Sequence, residues 1–326
     1  MPGYLLGIDL GGTSIKAALL DEKLQILRRH SVRTPQEDAT AVIRSMADAC
    51  RVLLAAEEIT LEDVFSLGIG APGIIDNDRG KVVYANNLPF VDVDLRDLIH
   101  DELPLTIYLE NDANAAALAE AWLGANQGMK DSMVITLGTG VGGGVITDGR
   151  ILHGNQFAGG EVGHMVIVAG GAQCNCGRRG CWETYSAAAS LMRMARAAAQ
   201  DDLTSALWQA CTNDLELLRP EQVFDLAFSG DKAARSVYDR YIFLLKQAVV
   251  NLVSIFRPQQ IAIGGGLGNQ RERLTEPLQE AVALESYAGR YVKPTRVVST
   301  QLGADSGLYG AALLGRYYQG GISVAG

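Results

Sequence analysis

Leu6-Gly7-Ile8-Asp9-Leu10-Gly11-Gly12-Thr13-Ser14-Ile15-Lys16 and, further along, Ile135-Thr136-Leu137-Gly138-Thr139-Gly140-Val141-Gly142-Gly143-Gly144 are the same device written twice. In each, an apolar run stops at glycine and hydroxyl residues and an apolar run then resumes. That is the pattern of strand, glycine turn, strand. Outward from the first copy, residues 4–9, 15–20 and 24–33 predict an antiparallel meander. A helix follows, because Ala39, Val42, Ile43, Met46, Cys50, Leu53 and Leu54 keep one face. Residues 64–70 and 105–110 predict buried strands, and 113–126 an Ala-rich helix. Around the second copy, residues 132–137 and 145–147 predict strands with the glycines as the turn between them. Helices then dominate, notably one with Val237, Tyr241, Leu244, Leu245, Ala248, Leu252 and Phe256 on a face. Strands at 260–263 and 296–299 and a last helix from about 305 complete an α/β chain. The repeat predicts two domains, 1–115 and 116–305, the second larger and carrying the cysteine-rich loop.

Apolar residues make up 48% and charged residues 20% of the 326 positions, the balance of a folded globular protein. Acidic side chains outnumber basic ones, 37 to 28, for a formal charge of -9. With no basic surplus to displace counterions, nucleic acid is not expected as a general partner. No basic residue precedes Lys16, and no run approaches the ~20 apolar residues of a membrane span, so neither a secretory signal nor a membrane segment is expected. Three closely spaced cysteines suit a metal rather than a disulfide framework, and a reducing cytoplasm is the matching compartment.

Two segments, Gly68/Gly70/Gly73 and Gly138/Gly140/Gly143, have G-x-G-x-x-G spacing, but no helix pattern opens after either, as a dinucleotide fold requires. No Gly-Lys-Ser/Thr follows any of the turns, so a Walker A loop is absent too. A different phosphate grip fits. Gly11, Gly12 and Thr13 in one half and Thr139 and Gly140 in the other offer successive backbone N–H groups to anionic oxygens. Asp9 at the tip of its strand can hold Mg²⁺ through water, and Lys16 either reaches a phosphate or is solvated. Either turn alone also reads as an ordinary glycine hairpin.

His164, Cys174, Cys176 and Cys181 make one imidazole and three thiolates, the closed set that structural Zn²⁺ prefers. The alternative is three buried free thiols. Cys50 and Cys211 stand alone and read as core. Glu161 lies three residues before His164, and Glu183 two after Cys181, so a metal here would orient both carboxylates.

Glu110-Asn111-Asp112 ends a strand and opens a helix. Asn111 or Asp112 reads as a cap, or else Asp112 is the base that takes a substrate hydroxyl proton. Asn86, Asn87, Asn111, Asp112, Glu161, His164 and Glu183 are the polar residues that suit a polyol, with Gly73 allowing close approach. His30, His100 and His153 are read as surface or satisfied histidines.

Taken together, these segments resemble the ROK family (repressor, open reading frame, kinase) of the sugar kinase/Hsp70/actin superfamily. The resemblance rests on the Asp9–Thr13 turn with Lys16, on Gly70-Ala71-Pro72-Gly73, on Glu110-Asn111-Asp112-Ala113-Asn114 and on the Gly138–Gly144 turn. Most specific is Glu161-Val162-Gly163-His164-Met165, continuing to Cys174-Asn175-Cys176-Gly177-Arg178-Arg179-Gly180-Cys181-Trp182-Glu183. The resemblance implies two ribonuclease-H-like domains with ATP and a sugar in a cleft between them, and a C-terminal helix, about 306–326, packed back on the first. It implies Asp112 as catalytic base, with Asn111, Glu161, His164 and Glu183 on the sugar. It further implies zinc on His164 and the three cysteines, and Gly265, Gly266 and Gly303 near the adenosine. The Glu161–Met165 stretch and the cysteine loop look most like the family's bacterial glucokinases, which implies phosphorylation of glucose at O6 by Mg-ATP. Relatives that act on fructose, allose, N-acetylglucosamine or N-acetylmannosamine, and polyphosphate as donor, stay open. The family also implies a homodimer or homotetramer. A sugar-responsive repressor, the rival role in the family, would carry a DNA-binding helix-turn-helix ahead of Asp9. Only eight residues stand there, so an enzyme is expected.

Overall fold

The computed structural model describes residues 3–85, 87–211 and 214–320. The chain divides into two units. One comprises residues 1–130, 144–160 and 304–326, and the other residues 131–143 and 161–303. The boundary therefore differs from the one expected near residue 115. The helix that opens at Asp112 runs on to Trp122 within the first unit, and the chain re-enters that unit at 144–160.

In the first unit the chain forms β1 (Tyr4–Leu10), β2 (Ser14–Leu20), β3 (Ile26–Arg33), α1 (Ala39–Ala56), β4 (Val64–Ala71), β5 (Ile74–Asp76), β6 (Lys81–Tyr84), β7 (Val91–Val93), α2 (Leu95–Glu102), β8 (Ile107–Asn111) and α3 (Asp112–Trp122). There follow β9 (Ser132–Leu137), β10 (Val141–Thr147) and β11 (Arg150–Ile151). Next come α4 (Glu183–Ser186), α5 (Ala188–Asp201), α6 (Ala206–Ala210), α7 (Pro220–Phe228) and α8 (Lys232–Phe256). The chain ends with β12 (Gln260–Gly264), α9 (Gly265–Gly268), α10 (Glu272–Glu285), β13 (Arg296–Ser299) and α11 (Ser306–Gly320).

The first sheet has the order β3-β2-β1-β4-β8. β1, β2 and β3 are the expected antiparallel meander, while β4 runs parallel to β1 and β8 parallel to β4. Side chains alternate across a strand, so Leu6, Ile8 and Leu10 of β1 join Val42, Met46, Cys50 and Leu53 of α1 in one core. Leu5, with Ala18 and Leu20 of β2, meets Leu308 and Ala312 of α11 on the other side. α11 also packs on α3, β4 and β8. Glycine makes that contact close: a Cβ on Gly7 would come 2.5 Å from the Leu308 carbonyl oxygen, and one on Gly68 would overlap Ala311. Burial pushes the Cys50 thiol up to about 12, so this cysteine is inert core, as its place on the helix face suggested. A separate three-stranded sheet, β5-β6-β7, was not expected from the sequence.

The second sheet has the order β11-β10-β9-β12-β13, with β12 parallel to both β9 and β13. β10 begins at Val141, so Gly142, Gly143 and Gly144 belong to the strand and not to the turn, contrary to expectation. The reason is tertiary. Gly143 faces the Val162 side chain and Gly144 the Ala113 carbonyl, and a Cβ at either would overlap its neighbour. α8 buries Val237, Tyr241, Leu244, Leu245, Ala248 and Leu252 on the predicted face and packs on α5, α7 and α10; Phe256 is only partly buried. Among the described residues no helix is long and apolar enough to cross a membrane.

Gly310 carries the tightest test of this packing, because a Cβ there would overlap the Ala115 carbonyl across the α11–α3 contact. Gly310→Ala is expected to cost about 1–3 kcal/mol through overpacking, read as a lowered midpoint in thermal unfolding.

Candidate active site

In the first unit the β1–β2 turn is tied down at its carbonyls. Gly11 N donates to Ser14 O at 2.9 Å, Thr34 Oγ1 to Gly11 O at 2.7 Å, and Gln36 Nε2 to Gly12 O at 3.0 Å. Asn87 lies against the turn, since a Cβ on Gly12 would stand 2.9 Å from its Cβ. Asn86 lies outside the described residues. Asp9 and Lys16 are register partners in β1 and β2, and Lys16 Nζ is 3.1 Å from Asp9 Oδ2. Lys16 is thus paired with Asp9 while its side chain stays 43% exposed. Asp9 shares the face of β1 that carries Leu5 and Gly7, so its carboxylate reaches the first turn of α11. There a Cβ on Gly307 would come 2.8 Å from Asp9 Cγ. Gly307 escaped the sequence reading.

Gly73 has φ +96°, and a Cβ there would overlap the Tyr84 carbonyl. The close approach that requires glycine is therefore to β6, within the protein. Gly73 O accepts from Asn111 Nδ2 at 3.1 Å. Asn111 is the N-cap of α3, its Oδ1 accepting from Ala113 N at 2.9 Å and Asn114 N at 3.2 Å. Asp112 is the first helical residue, and its Oδ1 accepts from Ala113 N at 2.8 Å.

One residue earlier, Glu110 is 1% exposed and surrounded by donors. Oε1 accepts from Asn111 N at 2.8 Å and Asn114 Nδ2 at 3.0 Å. Oε2 accepts from Tyr318 OH at 2.6 Å, His153 Nε2 at 2.8 Å and Asn77 Nδ2 at 3.0 Å. An ionised carboxylate can only accept, so His153 Nε2 carries its proton toward Glu110. Burial opposes ionisation of Glu110. The hydrogen bond and charge of His153, with the bonds from Tyr318 and Asn114, outweigh it and hold the carboxyl below its ordinary value. Burial and the Glu110 charge push the Tyr318 phenol far up, so it stays a donor. His153 is therefore a satisfied histidine with a specific partner, and Glu110, Tyr318 and Asn77 are additions to the sequence reading. The available signal was a glutamate closing the apolar strand Ile107-Tyr108-Leu109-Glu110.

In the second unit the β9–β10 turn is closed by Gly138 N donating to Gly140 O at 3.0 Å, with Thr139 exposed. β12 ends beside β9, Gly264 opposite Thr136, which brings Gly265 to the base of this turn. Gly265 has φ +76°, and a Cβ there would stand 2.5 Å from Leu137 O. Gly266 opens onto free space, and Gly303 follows β13 at φ +56°. The main chain of Val141 then gathers the remaining residues. Its N–H donates to Glu183 Oε2 at 3.1 Å, and its carbonyl lies against Gly163, where a Cβ would overlap it. The segment with Glu161 and His164 and the carboxylate of Glu183 thus meet at the start of β10.

The cysteine loop folds back on itself: Cys174 N donates to Arg178 O at 2.8 Å, Ile167 N to Gly180 O at 3.0 Å, and Trp182 N to Met165 O at 2.8 Å. Gly177 and Gly180 turn the chain with φ of 89° and 84°. One ligand atom from each of His164, Cys174, Cys176 and Cys181 lies within 4.8 Å of the others. Cys174 Sγ is 3.7 Å from His164 Nδ1, and Cys176 Sγ is 3.6 Å from Cys181 Sγ. A tetrahedron with metal–sulfur bonds of about 2.3 Å and a metal–nitrogen bond of about 2.0 Å has edges of about 3.5–3.8 Å. The cluster is therefore shaped for one metal ion, with Nδ1 of His164 turned toward it and Nε2 left for other partners.

Residues 5–317 match the ROK family, and the chain belongs to it. It is 36% identical to the glucokinase of Halalkalibacterium halodurans over 95% of this chain and 94% of that protein. It is also 36% identical to the glucokinase of Thermotoga maritima, over 94% and 96% of the two chains. Among solved structures, the ROK family glucokinase of Streptomyces griseus in complex with glucose and AMPPNP superposes with a TM-score of 0.83. The identity is 32%, over 96% of this chain and 99% of that one.

The Glu110 network fixes a pH dependence. Its carboxyl titrates lower in the folded chain than its ordinary 4.5, so ionisation favours folding. That contribution is complete above the ordinary value and is lost as pH falls through the folded one. Urea unfolding should therefore show stability dropping below about pH 5, with a shallower drop in Glu110→Gln. Parallel drops would contradict this.

Proposed function

We propose that the chain is an ATP-dependent glucokinase, forming glucose 6-phosphate and ADP. The observation that carries the reading is the hydrogen bond from Val141 N–H to Glu183. A carboxylate suited to sugar hydroxyls is in contact with a glycine turn suited to phosphates, two residues from a metal-ligand cysteine. The similarity to glucokinases supports it, one of them bound to glucose and AMPPNP.

In this reading Glu161, His164 through Nε2, Glu183, Asn111 and Asn87 bind sugar hydroxyls, beside Gly73. Asp112 accepts the O6 proton as O6 bonds to the γ-phosphorus, and the bond from that phosphorus to the β,γ-bridging oxygen breaks to release ADP. Gly11, Gly12, Thr13, Thr139 and Gly140 offer N–H and hydroxyl groups to the phosphates. Gly265 and Gly266, lacking side chains, let the nucleoside approach. When bound, Mg²⁺ would neutralise charge on the phosphates; Asp9 is its candidate holder, with Lys16 balancing that carboxylate. Zinc is the ion assigned to His164, Cys174, Cys176 and Cys181, because one imidazole and three thiolates leave no position open and suit a structural site. A thiolate site of this kind matches a reducing cytoplasm.

Sugar-dependent ADP release with Mg-ATP across glucose, mannose, fructose, N-acetylglucosamine and N-acetylmannosamine tests the reading. Glucose is expected to have the highest kcat/KM; a preference for another hexose would move the substrate, and inactivity on all five would overturn the reading.

For the metal, the purified protein is expected to carry about one zinc per chain. Cys176→Ser should lose it and weaken glucose binding more than binding of an ATP analogue in calorimetry. Equal loss of both affinities, or no loss of either, would contradict the role given to the metal.

A further inference from the structure

Four stretches that are distant in the sequence converge on Glu110: Asn77 beyond β5, Glu110 itself in β8, His153 beyond β11 and Tyr318 in α11. The two carboxylate oxygens serve different sides. Oε2 faces Asn77, His153 and Tyr318, which belong to the surrounding scaffold. Oε1 faces the Asn111 N–H and the Asn114 amide, which lie one residue before and two residues after Asp112. The outer partners are themselves held. Tyr318 stacks on Tyr108, with ring centroids 5.8 Å apart and planes 9° from parallel. His153 has the Phe157 ring edge-on at 5.6 Å. Asn77 Nδ2 also donates to Tyr318 OH at 2.6 Å.

We infer that Glu110 is a positioning residue for the phosphoryl transfer, its buried carboxylate gripping the chain on both sides of Asp112 and fixing that base against the scaffold. The inference rests on the proposed function, since it assigns Glu110 a part in the same reaction. Its physical ground is that a base must be held close to one geometry: a displacement of about 1 Å can cost about 100-fold in rate. A carboxylate is the group that can do this here, because both of its oxygens accept. An amide in its place offers one acceptor oxygen to five donors, so either the Asn111–Asn114 side or the scaffold side meets an N–H in place of an oxygen. Glu110 touches neither sugar nor nucleotide and acts through the Asn111–Asn114 turn that carries Asp112.

The test compares wild type, Glu110→Gln and Tyr318→Phe, each as the full chain with its metal. Tyr318→Phe removes one donor to Oε2 while keeping the ring stacked on Tyr108, so it separates positioning from collapse should Glu110→Gln fold poorly. Two readouts are taken: kcat and glucose KM per folded molecule, and amide hydrogen exchange at Asn111, Ala113 and Asn114. Glu110→Gln is expected to lower kcat about 10- to 100-fold with glucose KM changed less than about threefold, and to speed exchange at the three amides about tenfold. Tyr318→Phe should move both readouts the same way by a smaller factor. Wild-type kcat per folded molecule in both variants, with only the melting temperature lowered, would overturn the inference and leave Glu110 a purely structural residue. Should wild type phosphorylate no sugar, the functional reading falls on its own. The clamp is then judged by exchange alone: faster exchange sustains it and unchanged exchange refutes it.

Discussion

A carboxylate buried at the end of a strand has to be surrounded by donors before a chain can fold around it. Glu110 imposes that condition on the first unit. Its five donors come from β8 itself, the first turn of α3, the segment after β5, the segment after β11 and the last helix. That requirement offers a reason for two features of the chain's path. The polypeptide leaves the first unit and returns at 144–160 with His153, then leaves again and returns at 304–326 with Tyr318. The glycines on α11 and on the strands beneath it allow the last helix to approach closely enough for Tyr318 to arrive. Gly310 and Gly68 matter in this sense as much as the residues that make polar bonds.

The second unit is organised by a different pair of constraints. Val141 offers an N–H and a carbonyl at the start of β10, and both are met: the N–H by Glu183 and the carbonyl side by the bare α-carbon of Gly163. The cysteine loop joins the two contacting segments, with His164 one residue beyond Gly163 and Cys181 two before Glu183. A metal bound there would lock both carboxylates to one another without touching either.

Most of the candidate site was legible because its chemistry is local in the chain. Strand–glycine–hydroxyl turns announce themselves within about ten residues, and the spacing of Cys174, Cys176 and Cys181 marks a set of metal-ligating side chains that the fold brings together with His164. What escaped was set by contacts across the chain. Tyr318 meets Glu110 from 208 positions away and His153 from 43, and no local pattern in an α/β sequence encodes either meeting. Gly142, Gly143 and Gly144 read as turn because glycine weakens a strand locally, yet Val162 demands a bare α-carbon at Gly143 and Ala113 one at Gly144. The small sheet of β5, β6 and β7 was missed because its strands are only three or four residues long. Val83, Tyr84 and Val91 are also exposed, so no in–out alternation marks it. At Gly73 the sequence suggested close approach of a sugar, whereas the contact that requires glycine is to the backbone of β6.

Everything proposed for the transfer step turns on Asp112 taking the proton of the sugar hydroxyl. The most direct measurement pairs calorimetric glucose binding with turnover in Asp112→Asn. Glucose affinity is expected within about threefold of wild type and kcat lower by about 100-fold or more, the scale of a lost general base. Retention of most of the turnover with intact binding would contradict it.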